Sequence, residues 1–276
     1  MAALLALLSS LLWGTSDFLG GTATRRRPAG AVVAASQLVA LLAVAVAVTV
    51  AAGWRAPNGY LVPGVLAGLV GLIALSAFYA ALAAGRMGVV AAISALGLLV
   101  PVGVGLSRGD RPAIAQLVGM VVAAAGAVCA SGPEWRGGLS RRPLLLAGVA
   151  ALGFGTVQVA VAEGSKASIG MTLLSMRLAA VVPLLGMAVA KRTKGGLQTA
   201  DLPLLAVIGL ADLTANGAYA QATTTGLLSV VAVLGSLYPA VTVVLARVVH
   251  QERLRRVQDL GIAATLVGVA LIASGG

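Results

Sequence analysis

The chain has 276 residues, 59% of them hydrophobic and only 10% charged, against about 45–50% and 25% in soluble domains. That composition excludes a soluble globular enzyme. A formal charge of +11 does not by itself make a nucleic-acid binder, because the positions of the charges decide what they mean.

Ten apolar segments follow one another at approximately 2–20, 31–51, 61–83, 88–107, 113–130, 143–162, 170–190, 202–222, 226–248 and 256–274, each within the ~17–25 residues a helix needs to cross the hydrocarbon. Period-2 alternation is absent, so a membrane barrel is not expected. The first segment lacks a basic leader, and Arg25, Arg26 and Arg27 follow it, so it reads as a retained helix rather than a signal peptide. It carries Trp13 and, near its end, Asp17. Asp17 has two readings: an interfacial carboxylate neutralised by the Arg25–Arg27 cluster, or a site residue. Trp54 and Trp135 stand near segment ends, where indole rings anchor helices at the interface. Pro101 in the fourth segment and Pro239 in the ninth each remove a helical hydrogen bond and predict paired kinks or hinges. The single cysteine, Cys129, excludes an intrachain disulfide and reads as a buried, inert thiol. The eighth segment is interrupted by Asp212, Thr214, Asn216 and Gln221.

Fourteen of the 19 Lys and Arg lie in loops after odd-numbered segments or, as Arg247 and Arg256 do, at a segment end beside such a loop; four lie in loops after even-numbered segments, and Arg177 lies well inside a segment. Cytoplasmic loops carry the excess of Lys and Arg, so the basic balance is a topology signal that predicts both termini outside the cytoplasm.

The two halves resemble each other. Trp13-Gly14-Thr15 recurs as Phe154-Gly155-Thr156, Ser36-Gln37-Leu38 aligns with Met176-Arg177-Leu178, and Tyr79-Ala80 aligns with Tyr219-Ala220. Leu96-Gly97 and Pro101 align with Leu234-Gly235 and Pro239, Asp110-Arg111 with Glu252-Arg253, and Gly119 and Gly126 with Gly261 and Gly268; the offset stays between 138 and 142 residues. Two repeats follow, 1–132 and 143–276, joined by a short loop at 133–142. An odd number of spans per repeat inverts the second half, and inverted repeats permit alternating access to a site near the midplane. The expected fold is all-α: a polytopic membrane protein of ten transmembrane helices in two inverted five-helix repeats.

This pattern resembles the EamA family of the drug/metabolite transporter superfamily. The residues that carry the resemblance are Trp13-Gly14-Thr15, Pro101, Pro239, Glu252-Arg253-Leu254 and the Gly-rich helix that closes each half. It implies export of amino acids, metabolites or drugs, and termini in the cytoplasm, opposite to the charge bias.

Several side chains are candidates for a solute site. An acidic group at mid-span costs about 2.5–3.5 kcal/mol on insertion scales, so Asp212 is either a substrate-amine or proton site or half of a structural ion pair. Arg177, aligned with Gln37, is the partner to test, with a structural or gating role preferred over a clasp for a substrate carboxylate. Gln158 takes the place aligned with Asp17. Tyr79, Asn216, Tyr219, Gln221 and Tyr238 offer hydrogen bonds in apolar surroundings, where polar groups need partners. Trp13 and Phe154 serve as packing residues or as a cavity wall.

No CxxC, paired His or HExxH motif occurs, so no metal site is expected, and no cofactor. His250 reads as solvated loop polarity. With no nucleotide-hydrolysing domain, energy would come from a gradient of the solute, of protons or of another coupling ion. The leading expectation is a secondary transporter, by default an exporter, of a small metabolite, amino acid or drug-like solute. The bilayer and that solute are its partners, and nucleic acid is not. The alternatives are a non-transporting receptor or assembly subunit and, more remotely, a lipid-modifying enzyme. Abundant Ala and Gly with Arg in excess of Lys suggest a GC-rich bacterium, hence a bacterial cytoplasmic membrane.

Overall fold

The computed structural model describes residues 1–24, 26–84, 93–130, 141–190, 195–250 and 256–274. Among these the protein is all-α: α1 (Ala2–Thr24), α2 (Ala29–Val50), α3 (Leu61–Ala84), α4 (Leu99–Ser107), α5 (Ile114–Ala130), α6 (Arg141–Ser165), α7 (Ile169–Ala190), α8 (Leu202–Thr225), α9 (Leu228–Gly235), α10 (Tyr238–His250) and α11 (Arg256–Ser274). Six helical stretches are long and apolar enough to cross a membrane, and shorter apolar helices occupy 93–107, 114–129 and 228–242. Leu11, Val46, Ile73, Leu152, Val182 and Leu266 are exposed on their outer faces, the surface that hydrocarbon would cover.

The polar interruptions of the eighth segment do not break it. α8 runs unbroken for 24 residues, about 36 Å at 1.5 Å per residue, because its polar side chains are partnered: Asp212 with Arg177 of α7, and Thr214, Asn216 and Gln221 within α8 itself. The ninth segment, expected as one helix, is two. α9 ends at Gly235, Ser236 and Leu237 intervene, and α10 begins at Tyr238. The fourth segment is interrupted at the matching place by a 3-10 turn over Leu96–Leu98. The expected kinks at Pro101 and Pro239 are therefore breaks one turn earlier. Each proline sits in the first turn of the following helix, where its missing N–H is no loss.

Helix ends show why the chain turns where it does. Pro28 leads into α2. Before α8, the Asp201 carboxylate accepts from the Gln198 N–H at 2.7 Å in a capping box. The N-terminus of α9 is capped from a distant loop: Asp110 Oδ2 accepts from both the backbone N–H and the hydroxyl of Ser229 at 2.8 Å.

Packing crosses between the halves. α1 lies along α8 and α3 along α6; α2 packs on α7 and on α8, and α3 on α7; α5 lies along α11 and α4 along α9. Close approach depends on glycine. A Cβ on Gly68 would strike the Met176 carbonyl, and one on Gly209 the Ser36 carbonyl. Gly119 faces the Gly268 carbonyl and Gly126 faces Gly261 and Thr265, so α5 and α11 run antiparallel, backbone against backbone, as small residues allow. Cys129 is only half-buried. Trp135, Glu252, Arg253 and Leu254 lie outside the described residues, as does most of 133–142.

Candidate functional site

At the centre of the bundle lies a cavity of about 150 Å³, lined from both halves by Trp13 and Asp17 of α1, Gln37 of α2, Phe154 and Gln158 of α6, Arg177 of α7, Asp212 and Asn216 of α8, and Ser236 and Tyr238 at the α9–α10 break. Ser94, Gly97 and Leu98, beside the other break, complete the wall together with apolar residues of α3. Both helix interruptions thus border one space, where irregular backbone is tolerated inside a membrane.

The ion pair raised by the sequence forms. Arg177, 2% exposed, places Nη2 at 2.9 Å from Asp212 Oδ2. Its Nη1 donates to Gln37 Oε1, and Gln37 Nε2 donates to the same Asp212 oxygen at 3.4 Å. Asn216 Nδ2 donates to Asp212 Oδ1 at 3.2 Å and to the Asp212 carbonyl at 2.7 Å. Both carboxylate oxygens are engaged by protein donors, as a buried charge requires. Spacing explains part of this: Asp212 and Asn216 stand at i and i+4 on one helix face.

Asp17 departs from its interfacial reading. It lines the cavity, and among the described residues it receives no hydrogen bond and no ion pair. The end of α1 at Thr24 is seven residues further, about 10 Å along the axis, too far for the basic cluster to reach back. Arg27 instead pairs with Asp201, Nε to Oδ2 at 2.9 Å, and donates to the Gly196 carbonyl at 3.0 Å. Arg25 lies outside the described residues.

Gln158, aligned with Asp17 in the sequence, donates from Nε2 to the Ser236 hydroxyl at 3.2 Å. Its Oε1 accepts nothing. Trp13 meets Tyr238 edge-on, with ring centroids 6.4 Å apart, and Phe154 meets Phe78 edge-on at 5.8 Å, the arrangement aromatic quadrupoles favour. Tyr219 is not in the wall. It is buried behind Trp13, with centroids 5.6 Å apart. Tyr79 is on α3, but its side chain lies outside the described set.

Sequence reasoning left Ser94, Ser236 and Phe78 out of the site, and treated Gln37 only as the alignment partner of Arg177. Ser94 and Ser236 border interruptions that no periodicity announces. The alignment of the two halves held one usable signal, since Gln37, aligned with Arg177, lies on α2, which packs on α7.

At the far end of α6, Glu163 pairs with Arg108 and, at 3.0 Å, with Lys166, tying the end of α4 to the α6–α7 turn.

The fold matches a solved structure described only as "Crystal structure of protein", with a TM-score of 0.81 over 98% of this chain and 95% of that one, at 20% identity. No curated protein matches the sequence. Residues 141–274, from the start of α6 to the end of α11, match the model of the EamA-like transporter family. The second half of this multi-pass membrane protein thus matches the EamA-like transporter family, which belongs to the drug/metabolite transporter superfamily.

Proposed function

We propose that the protein is a secondary transporter, working as an exporter in a bacterial cytoplasmic membrane, that moves a small metabolite, amino acid or drug-like solute by alternating access. The cavity carries this reading. It lies between elements of both halves, it holds a few placed polar groups in an apolar wall as small-molecule sites do, and both helix interruptions border it.

The halves, 1–132 and 143–276, act as two inverted five-helix repeats of a ten-span bundle. Support comes from the exchanged packing of α1 on α8 and α6 on α3, and from the antiparallel contact of the matched helices α5 and α11. A gradient of the solute or of a coupling ion drives the cycle, and Pro101 and Pro239 mark the segments that move.

The test compares metabolites in medium and cytosol for cells producing the protein, empty-vector cells, and cells producing Leu75→Trp, which fills the cavity from α3, at matched membrane abundance. The parent redistributes a small set of solutes and the filled variant does not. No redistribution under varied nutrients would favour a receptor or assembly subunit instead.

A further inference from the structure

We infer that the cavity selects a cationic solute, an organic ammonium, whose charge is met by Asp17 and whose apolar part lies against Trp13 and Tyr238. The inference deepens the transport reading and rests on it for the word substrate.

Charge within the wall comes first. The ionisable acids and bases that line the cavity are Asp17, Arg177, Asp212 and the Tyr238 phenol. Arg177 and Asp212 neutralise each other at 2.9 Å, with Gln37 and Asn216 taking up further donors and acceptors of the pair. Asp17 is left as the charge without a protein partner among the described residues. An ionised carboxylate inside a bundle calls for a counter-charge, and a bound cation supplies it.

A second observation points the same way. Gln158 is buried at 8% exposure and lines the cavity, yet its Oε1 accepts no hydrogen bond. An unmet acceptor in an apolar interior is costly. Asp17 and Gln158 occupy matching places in the two halves, so the cavity offers acceptors from both repeats, and the ligand that satisfies both is a donor of N–H bonds.

The aromatic wall suits a cation as well. Trp13 stands one turn before Asp17, at i and i+4 on the same helix face, and packs edge-on against Tyr238. Indole and phenol faces attract ammonium groups. A solute carboxylate would be poorly placed: Arg177 leaves Nε and Nη2 without a hydrogen-bond acceptor, but Nη2 is already ion-paired with Asp212, in a space that already holds two carboxylates.

The test measures equilibrium binding of three probes of one shape, phenethylammonium, 2-phenylethanol and phenylacetate, to the purified full-length protein in lipid nanodiscs. The cation binds roughly ten- to a hundredfold more tightly than the other two, the worth of one charge-assisted contact. Asp17→Asn removes that preference and Asp17→Glu keeps it, with thermal unfolding confirming that each variant folds. Equal or better binding of phenylacetate or 2-phenylethanol overturns the inference. So does a preference that survives in Asp17→Asn, or no binding of phenethylammonium up to about 10 mM. Proteoliposomes separate this from the transport reading. A bound but unmoved cation counts against transport and leaves the site standing, whereas movement of phenylacetate alone leaves transport standing and sinks the cation site.

Discussion

Arg177 and Asp212 meet at 2.9 Å across the interface of α7 and α8, with the guanidinium 2% exposed and the carboxylate side chain 22% exposed. The pair holds the two helices in one register.

Removing one member of that pair strands the other. Arg177→Met or Asp212→Leu alone is expected to cost about 3–5 kcal/mol, while the double variant loses much less, because no uncompensated charge remains. A double-mutant cycle on thermal unfolding in detergent reads the coupling. Additive losses would show that the pair contributes little.

The close contacts of Gly68 with Met176 and of Gly209 with Ser36 occupy matching places in the two halves. Gly68→Val and Gly209→Val are each expected to destabilise by about 1–3 kcal/mol through overpacking. The two losses should be similar in size, measured as unfolding midpoints at equal detergent. A neutral result at either position would contradict the exchanged packing.

Asp110 caps α9 from a loop of the other half. Asp110→Ala is expected to cost about 1 kcal/mol, the usual worth of a helix cap, and Asp110→Asn to recover part of it. Hydrogen exchange at Ser229 and Val230 checks the location, rising in the alanine variant and not at α5.

By contrast, the Glu163 cluster is exposed: side-chain exposure is 49% for Arg108, 31% for Glu163 and 65% for Lys166. Lys166→Ala is expected to change stability by less than about 1 kcal/mol, and added salt should make the difference smaller. A large, salt-insensitive loss in the same unfolding assay would contradict this.

How much of this was legible in the sequence follows from what each signal measures. Apolar length marks helices well, since about 20 residues must be apolar to span a bilayer, and α1, α2, α3, α7 and α8 fall close to the expected segments. The breaks at Leu96–Leu98 and Ser236-Leu237 were not legible, because Leu96-Gly97-Leu98 is as apolar as the helices around it and a single serine such as Ser236 does not by itself end a helix; the prolines pointed to the right segments but one turn too late. In the cavity, Trp13, Phe154, Gln158, Arg177, Asp212 and Asn216 stand in the wall. The mid-span acid drew attention to Asp212, yet burial cost says only that a carboxylate needs a partner, not whether that partner is protein or solute. Asp17 was read against the arginines nearest in sequence, whereas three-dimensional packing gave Arg27 to Asp201. Tyr219 illustrates the same limit, since a polar aromatic in an apolar helix looks alike in a wall and behind it.

Alternating exposure of the cavity is the central claim, and thiol accessibility tests it most directly. Ser94 lines the cavity, and its hydroxyl makes no hydrogen bond, so Ser94→Cys in a Cys129→Ser background changes little else. The variant, in right-side-out and in inside-out vesicles, is treated with a membrane-impermeant maleimide. The account predicts labelling from both sides, in turn, as the two halves rock. Labelling in one of the two preparations and not in the other would contradict it.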